Sequence, residues 1–374
     1  MAAENNDTSG LGENEAIFNQ ISVGQTIQPF DEIFYRVSPI IWSTTVLIGA
    51  FGIIGNILNL IVFVKLGFSE TIHVSYAALA ISDAGCVVTA VWFGLACYSA
   101  VLSSELARRR LHTDVCQLGI FIGGWPHMAF GRTTALLTAW ISMERCLCVT
   151  FPTRVRLIVT PKVTKILITA IFVIGLFPVV FPYVGLSIET TYDSRRNLTE
   201  LFLYYNAENE LSALNDLGFL LYGAIYPITS WITVSVCTAF LVVQLKRSSR
   251  WRKSNTSGNN LPTELGRLRS AERRERRVTK TVVIIASVFI ISSLPFSASL
   301  VASVVDRNYS VKGHYRSVFM INTGLLTIFG VANSSINFIV YALTGSRFKS
   351  TLVGLLPTKW VQHCRKTSAA LSKN

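Results

Sequence analysis

The chain has 374 residues, 51% hydrophobic and only 15% charged, with a formal net charge of +13. Soluble globular domains carry about a quarter charged residues, so an ordinary soluble fold is excluded. The basic excess lies in segments between long apolar runs rather than on one surface, which excludes a nucleic-acid-binding face.

Residues 1–38 are polar and acidic and lack a positive stretch leading into an apolar one. The first apolar run is therefore expected to direct its own insertion. Seven such runs follow, at roughly 40–64, 73–98, 117–148, 163–186, 217–245, 278–304 and 316–343. About 20 residues of helix cross about 30 Å of hydrocarbon, and a helix satisfies its own backbone polar groups in lipid. The pattern predicts an all-α membrane protein, a seven-transmembrane helix bundle. Segments on the N-terminal side total −7 in formal charge and those on the other side +19. Cytoplasmic loops carry the excess Lys and Arg, so the N-terminus is outside. Three glycosylation sequons, at Asn6, Asn197 and Asn308, then fall outside the cell, and a fourth at Asn255 falls inside.

The organisation expected is an extracellular segment 1–38, a membrane domain 39–344, and an amphipathic helix with a cytoplasmic tail, 345–374. The outside segment 187–216 is rich in Glu, Asn and Tyr and is read as a loop over a pocket. On the inside, 246–280 begins as a linker and ends in the basic run Arg267 to Lys280, expected to extend the sixth span. Such a run anchors on anionic lipid, which makes membrane lipid a partner. "LTGSRFKSTLVGLL" sets apolar residues at helical spacing among basic ones, a helix lying on the inner leaflet. Cys364 follows it as a candidate for palmitoylation.

Several polar residues sit where lipid should demand Leu or Val. They are Asn56, Asp83, His127, Arg132, Glu144, Arg145, Asn333 and Asn337. Ionisable groups in a span are costly and face the bundle interior. One reading is hydrogen-bond glue between helices. A buried Asp83 further needs donors or a cation; Asn56, Asn333 and Asn337 offer amides and Thr134 a hydroxyl. His127 and Arg132 lie 18 and 13 residues outward of Arg145, about 20 to 27 Å above it and about 140° apart around the helix. His127, with Met128 and Gly131, marks an open polar stripe, while Arg132 points toward the fourth or fifth span unless it bends inward. Arg132 is read either as a structural clamp or as the partner of a ligand carboxylate, onto which a guanidinium forks. Trp125, Tyr222, Tyr226, Phe296 and Thr327 share that depth and complete the candidate pocket.

Gly55-Asn56, Leu79-Ala80-x-x-Asp83, Glu144-Arg145, Pro227, Phe289 with Leu294-Pro295, and Asn333-Ser334-x-x-Asn337-x-x-x-Tyr341 occur in order, with Phe348 after them. The set resembles the signatures of rhodopsin-like (class A) G-protein-coupled receptors. The resemblance implies a plasma-membrane receptor with a small-molecule or peptide ligand outside and a heterotrimeric G protein inside. It implies activation residues Glu144, Arg145, Phe289, Pro295, Asn337 and Tyr341. It also implies a polar cluster of Asp83, Asn56, Thr134, Asn333 and Asn337 that holds sodium at Asp83 in the resting state; no other cofactor is expected. "GWPH" followed by Arg132, "ERCLCV", "RWRK", "GHYR" and "NSSINFIVY" are similar to the gastropod chemosensory receptors within that family. A neuropeptide receptor is the alternative.

The chain departs from the pattern in places. Phe338 stands where the seventh span's proline is usual, Cys146 where a tyrosine is usual after Glu-Arg, and Ser292 and Ser293 precede Leu294-Pro295. Residues 187–216 hold no cysteine, so the usual outer disulfide cannot form. Cys97 and Cys116 are the two cysteines near the outer face, and either a bridge between them or two reduced thiols fits. No nucleophile–base pair or metal-ligand spacing argues for an enzyme. A Schiff-base light sensor needs a lysine in the seventh span, and 316–343 has none.

Overall fold

The computed structural model describes residues 29–106, 119–184, 186–193, 198–205, 212–254, 263–306, 308–309 and 314–355. Asn6, Cys116, Asn197, Asn255 and Cys364 lie outside them.

Helix α1, Pro29–Leu66, begins outward of the first apolar run and ends at Gly67. Gly67 takes φ +81°, the left-handed conformation that glycine alone adopts without cost, and its amide bonds back to Phe63 O at 3.1 Å. Helix α2, Thr71–Leu106, returns outward after a four-residue connection. Helix α3 is Trp125–Thr150, entered through a π-turn at Ile120–Gly124. A short helix, Pro152–Ile158, leads to α4, Pro161–Leu176, whose first turn is capped by Thr160 Oγ1 accepting from Val163 N. Helix α5, Tyr226–Ser254, continues from Ser212–Leu220 through a second π-turn. Helix α6, Thr263–Val305, extends the sixth span inward as its basic run predicts, and α7 is Arg316–Thr344. Helix α8, Ser346–Val353, turns aside after Gly345 and is pinned by the buried Phe348.

Six of these helices are long and apolar enough to cross a membrane; α3 is not among them. The reason is its place. It packs against α2, α4, α5, α6 and α7 at once. Neighbouring helices rather than lipid surround it, so it carries His127, Arg132, Thr133, Thr134, Thr138, Glu144 and Arg145 without an apolar outer face.

Helices α1 and α7 approach closely on the other side of the bundle. A Cβ at Gly52 would lie 2.2 Å from Ser335 Oγ and 3.1 Å from its Cβ, so a side chain at residue 52 would press on Ser335 of α7. Small residues at such crossings are how membrane helices gain contact in the absence of a hydrophobic drive.

Within the outside segment expected as a loop, β1 Leu186–Asp193 pairs antiparallel with β2 Leu198–Tyr205, in register from Leu186↔Tyr205 to Asp193↔Leu198. Their threonines, tyrosines and phenylalanine are the residue types that suit a pleated ribbon.

Candidate functional site

Asp83 of α2 is fully buried at mid-bundle. Thr134 Oγ1 of α3 donates to one carboxylate oxygen at 3.0 Å, and Asn337 Nδ2 of α7 donates to the other at 2.7 Å. Ser82 Oγ lies 3.0 Å from Thr134 Oγ1. The other two amides do not join them. Asn56 Nδ2 donates to Ser334 O at 2.9 Å and to Gly52 O at 3.0 Å, which ties α1 to α7. Asn333 sits one turn outward of Asn337, about 6 Å along the axis, and meets Ser292 Oγ of α6 at 3.3 Å. Asp83 thus has one amide, not three. The Ser334 side chain also hydrogen-bonds the carboxylate, so two hydroxyl oxygens, of Thr134 and Ser334, stand beside it, the kind of donor a hard cation takes.

The outer half of α3 differs more from expectation. His127 does not face an open stripe; its Nδ1 lies 3.0 Å from Cys86 O of α2. A carbonyl only accepts, so Nδ1 carries the proton. Gly131 faces the same Cys86, whose sulfur would lie 3.8 Å from a Cβ there. Arg132 turns to α6 rather than to α4 or α5. Its guanidinium carbon stands 4.1 Å from the centroid of the Phe296 ring, a cation–π contact. Its Nε–H finds no partner among the described residues.

Tyr222 and Tyr226 turn their hydroxyls toward α4. Their hydroxyls donate to Gly175 O at 3.0 Å and Ile174 O at 2.9 Å at the outer end of α4. Pro178 explains the choice. It has no N–H to give Ile174 O, and the chain tightens into a 3₁₀ turn at Phe177–Tyr183. The two tyrosines satisfy carbonyls that the helix abandons. Met128 packs on their cluster, Trp125 meets Phe219 edge-on at 5.0 Å, and Thr327 is buried with its hydroxyl on Thr323 O of its own helix. Of the candidate pocket, Arg132 meets Phe296, while Trp125, Met128, Tyr222 and Tyr226 gather in a separate cluster.

At the inner end, Glu144 is fully buried. Arg145 donates to its Oε1 at 2.6 Å and Ser75 Oγ to its Oε2 at 3.0 Å. The same guanidinium nitrogen is 3.4 Å from Thr71 Oγ1. Tyr341 packs among Tyr76, Phe63 and Phe348, with ring centroids at 4.7, 5.1 and 5.6 Å. Phe289 fills the gap between α3, α5 and α6 against Ala135, Ala139 and Val234, inward of Pro295. The sequence model of the rhodopsin family of seven-transmembrane receptors matches residues 55–341, from Gly55 through Tyr341.

The chain belongs to that family. Among solved structures it is similar to squid rhodopsin at 18% identity, with a TM-score of 0.58 over 88% of this chain and 87% of that one. That likeness is one of fold. No curated protein matches the chain. The receptor is a multi-pass protein of the plasma membrane that couples an outside ligand to a heterotrimeric G protein.

Two groups of residues in the receptor escaped the sequence reading. Glu70, just before α2, receives Arg274 of α6, Arg347 of α8 at 3.2 Å, and lies 3.8 Å from His73 Nε2. Burial pushes its carboxyl up, but the Arg274 hydrogen bond and the charges of Arg274, His73 and Arg347 outweigh that and leave it below the usual carboxylate range. The available signal was a lone carboxylate in an inside loop facing a strongly basic inner side. On the outer side, Asn322 Nδ2 of α7 lies 2.6 Å from both Ser299 Oγ of α6 and Tyr309 OH. An amide has two hydrogens to give, so one side chain joins α6, the connection and α7. Asn308 is exposed beside this tie.

Proposed function

We propose that the receptor is chemosensory and that Arg132 holds an anionic group of a small polar cue. The observation that carries this is the Arg132 guanidinium, parked on the Phe296 ring in the outer half of the bundle with an N–H unmatched among the described residues. A carboxylate would take the planar fork bidentately while the ring covers the other face. The phrases similar to gastropod chemosensory receptors support the same reading. A neuropeptide receptor is the second reading, favoured by the acidic outside segments, which suit a basic peptide.

The route inward follows from where Phe296 sits. It is the residue after Pro295, at the point where α6 lacks a backbone hydrogen bond. A ligand held by Arg132 against that ring acts directly beside the bend. The inner end of α6 then leaves Phe289's packing and Arg274's contact with Glu70. Arg145 exchanges Glu144 for the G protein. Sodium at Asp83, held by the oxygens of Asp83, Thr134 and Ser334, would neutralise the buried carboxylate and favour the resting arrangement. A ligand shifts such an equilibrium only by its differential affinity for the two states.

The test is a dose–response series in cells expressing the receptor, first across amino-acid and peptide libraries, then on Arg132→Gln with the agonist found. An acidic agonist should lose potency on Arg132→Gln while its neutral amide is weak on both forms. Equal potency of the acid on folded Arg132→Gln defeats the anion reading. A response confined to basic peptides transfers the case to the second one.

A further inference from the structure

Cys146 stands one residue after Arg145, near the inner end of α3, and Cys237 lies on α5 one turn inward of Val234. Val234 packs with Ala135 and Ala139 of α3, so the two helices are already in contact just outward of this level. There the side chains of Cys146 and Cys237 meet, thiol to thiol, in a hydrogen-bonding contact. Both are half-buried and within reach of a small solute, whereas Cys86 and Cys97 are closed off in the bundle. Cys148 is half-buried too, but two residues along a helix is about 200° around it, so it faces away from Cys146's side. Ser142, one turn outward of Cys146 on the same stripe, is fully buried, and its hydroxyl finds no partner among the described residues.

We propose that Cys146 and Cys237 are a modification site that a hydroperoxide closes into a disulfide. Packing alone needs only small apolar side chains here; two touching sulfurs carried by different helices can also form a bond. On the reducing inner side the pair rests as two thiols, and disulfides in such a compartment are transient and redox-sensing. One cysteine, as its thiolate, attacks the peroxide and breaks the O–O bond, leaving a sulfenic acid and releasing an alcohol, or water from hydrogen peroxide. The Ser142 hydroxyl donates to the incoming oxygen. The second thiol displaces the sulfenic oxygen as water, and the S–S bond forms. The two cysteines together give up two electrons to the peroxide, and their two protons end in the alcohol and the water. An added dithiol reverses the step by exchange. The bridge fixes α5 against α3 beside Arg145 and so holds the inner face in the arrangement described. That last consequence rests on the activation route given above; the bond itself does not.

The purified full-length receptor is treated with hydrogen peroxide, quenched with catalase, and divided between peptide mass spectrometry and basal nucleotide exchange on freshly added G protein. No agonist enters, so the result is independent of the ligand proposed above. Mass spectrometry should find a peptide linked through Cys146 and Cys237. Basal exchange should fall, and dithiothreitol should restore it. Cys148→Ser should keep both responses, while Cys146→Ser and Cys237→Ser should each lose both. The linked peptide is read on the wild-type chain, so a variant that fails to fold leaves the decision intact. Two thiols still open to alkylation, or oxidised singly without a link, show a packing pair and overturn the site. A linked peptide with exchange unchanged keeps the bond and overturns its hold on the inner face.

Discussion

Arg274 at the inner end of α6 holds Glu70 at the head of α2, and the same carboxylate takes Arg347 of α8. Arg145 meanwhile stays on α3's own Glu144 and near Thr71. One contact that ties α6 to the inner face thus passes through a loop residue, beside Arg277 to Ser346 and Thr281 to Thr344.

Glu70→Gln should raise basal nucleotide exchange on the G protein. Glu70 and its partners are a third or more exposed, so each pair contributes about 0.2–1 kcal/mol. Basal exchange should rise about two- to fivefold by that estimate. The charge-swapped pair Glu70→Arg, Arg274→Glu should return it toward wild type. The Glu70 carboxyl titrates below its ordinary range, so its contribution is complete above that range and fades as pH falls through the lowered value. Titration of the Glu70 carboxyl itself should therefore cause no change in basal exchange between about pH 6 and 8. A Glu70→Gln receptor as quiet as wild type at equal surface expression removes the clamp.

Arg145→Ala should abolish agonist-driven exchange while the receptor still reaches the cell surface. Glu144→Gln should raise basal exchange, because the 2.6 Å charge-assisted bond that restrains Arg145 is lost. Surface labelling and exchange measured on the same membranes decide both. Undiminished coupling by Arg145→Ala would contradict its role at the inner cleft.

Asp83→Asn should remove any dependence of agonist potency on sodium, since Asp83 is the carboxylate of that cluster. Agonist titrations in sodium and in N-methylglucamine buffers give the comparison. Sodium dependence that survives the substitution places the cation elsewhere.

Tyr226→Phe should lower the melting temperature of the purified receptor without shifting agonist potency. It strips the donor from Ile174 O, the carbonyl that Pro178 leaves without an amide. Leaving a carbonyl unsatisfied where lipid offers no donor costs about 1–3 kcal/mol. A potency shift with unchanged melting would return Tyr226 to the ligand site.

The helix bundle, its orientation and its order of spans were legible in the residues. Apolar length and the charge of the intervening segments are one-dimensional properties, and lipid leaves a helix few alternatives. Even α3 was found, although it is less apolar than its neighbours, because "WPHMAFGRTT" and "SMERCLCV" flank enough apolar sequence. Asp83 with Thr134 and Asn337, and Glu144 with Arg145, are legible in the sequence, since a buried charge needs a partner.

What the chain order did not reveal is direction. A helix position specifies an azimuth, and which neighbour occupies that azimuth depends on how seven helices pack. So Asn56 and Asn333 serve α7's backbone and α6 instead of Asp83, and His127 meets Cys86. Tyr222 and Tyr226 serve carbonyls freed by Pro178, and Arg132 covers Phe296. Glu70 was invisible for a related reason. Its partners lie 204 and 277 residues away in sequence, and only the packing of α6 and α8 against the head of α2 brings their charges within reach.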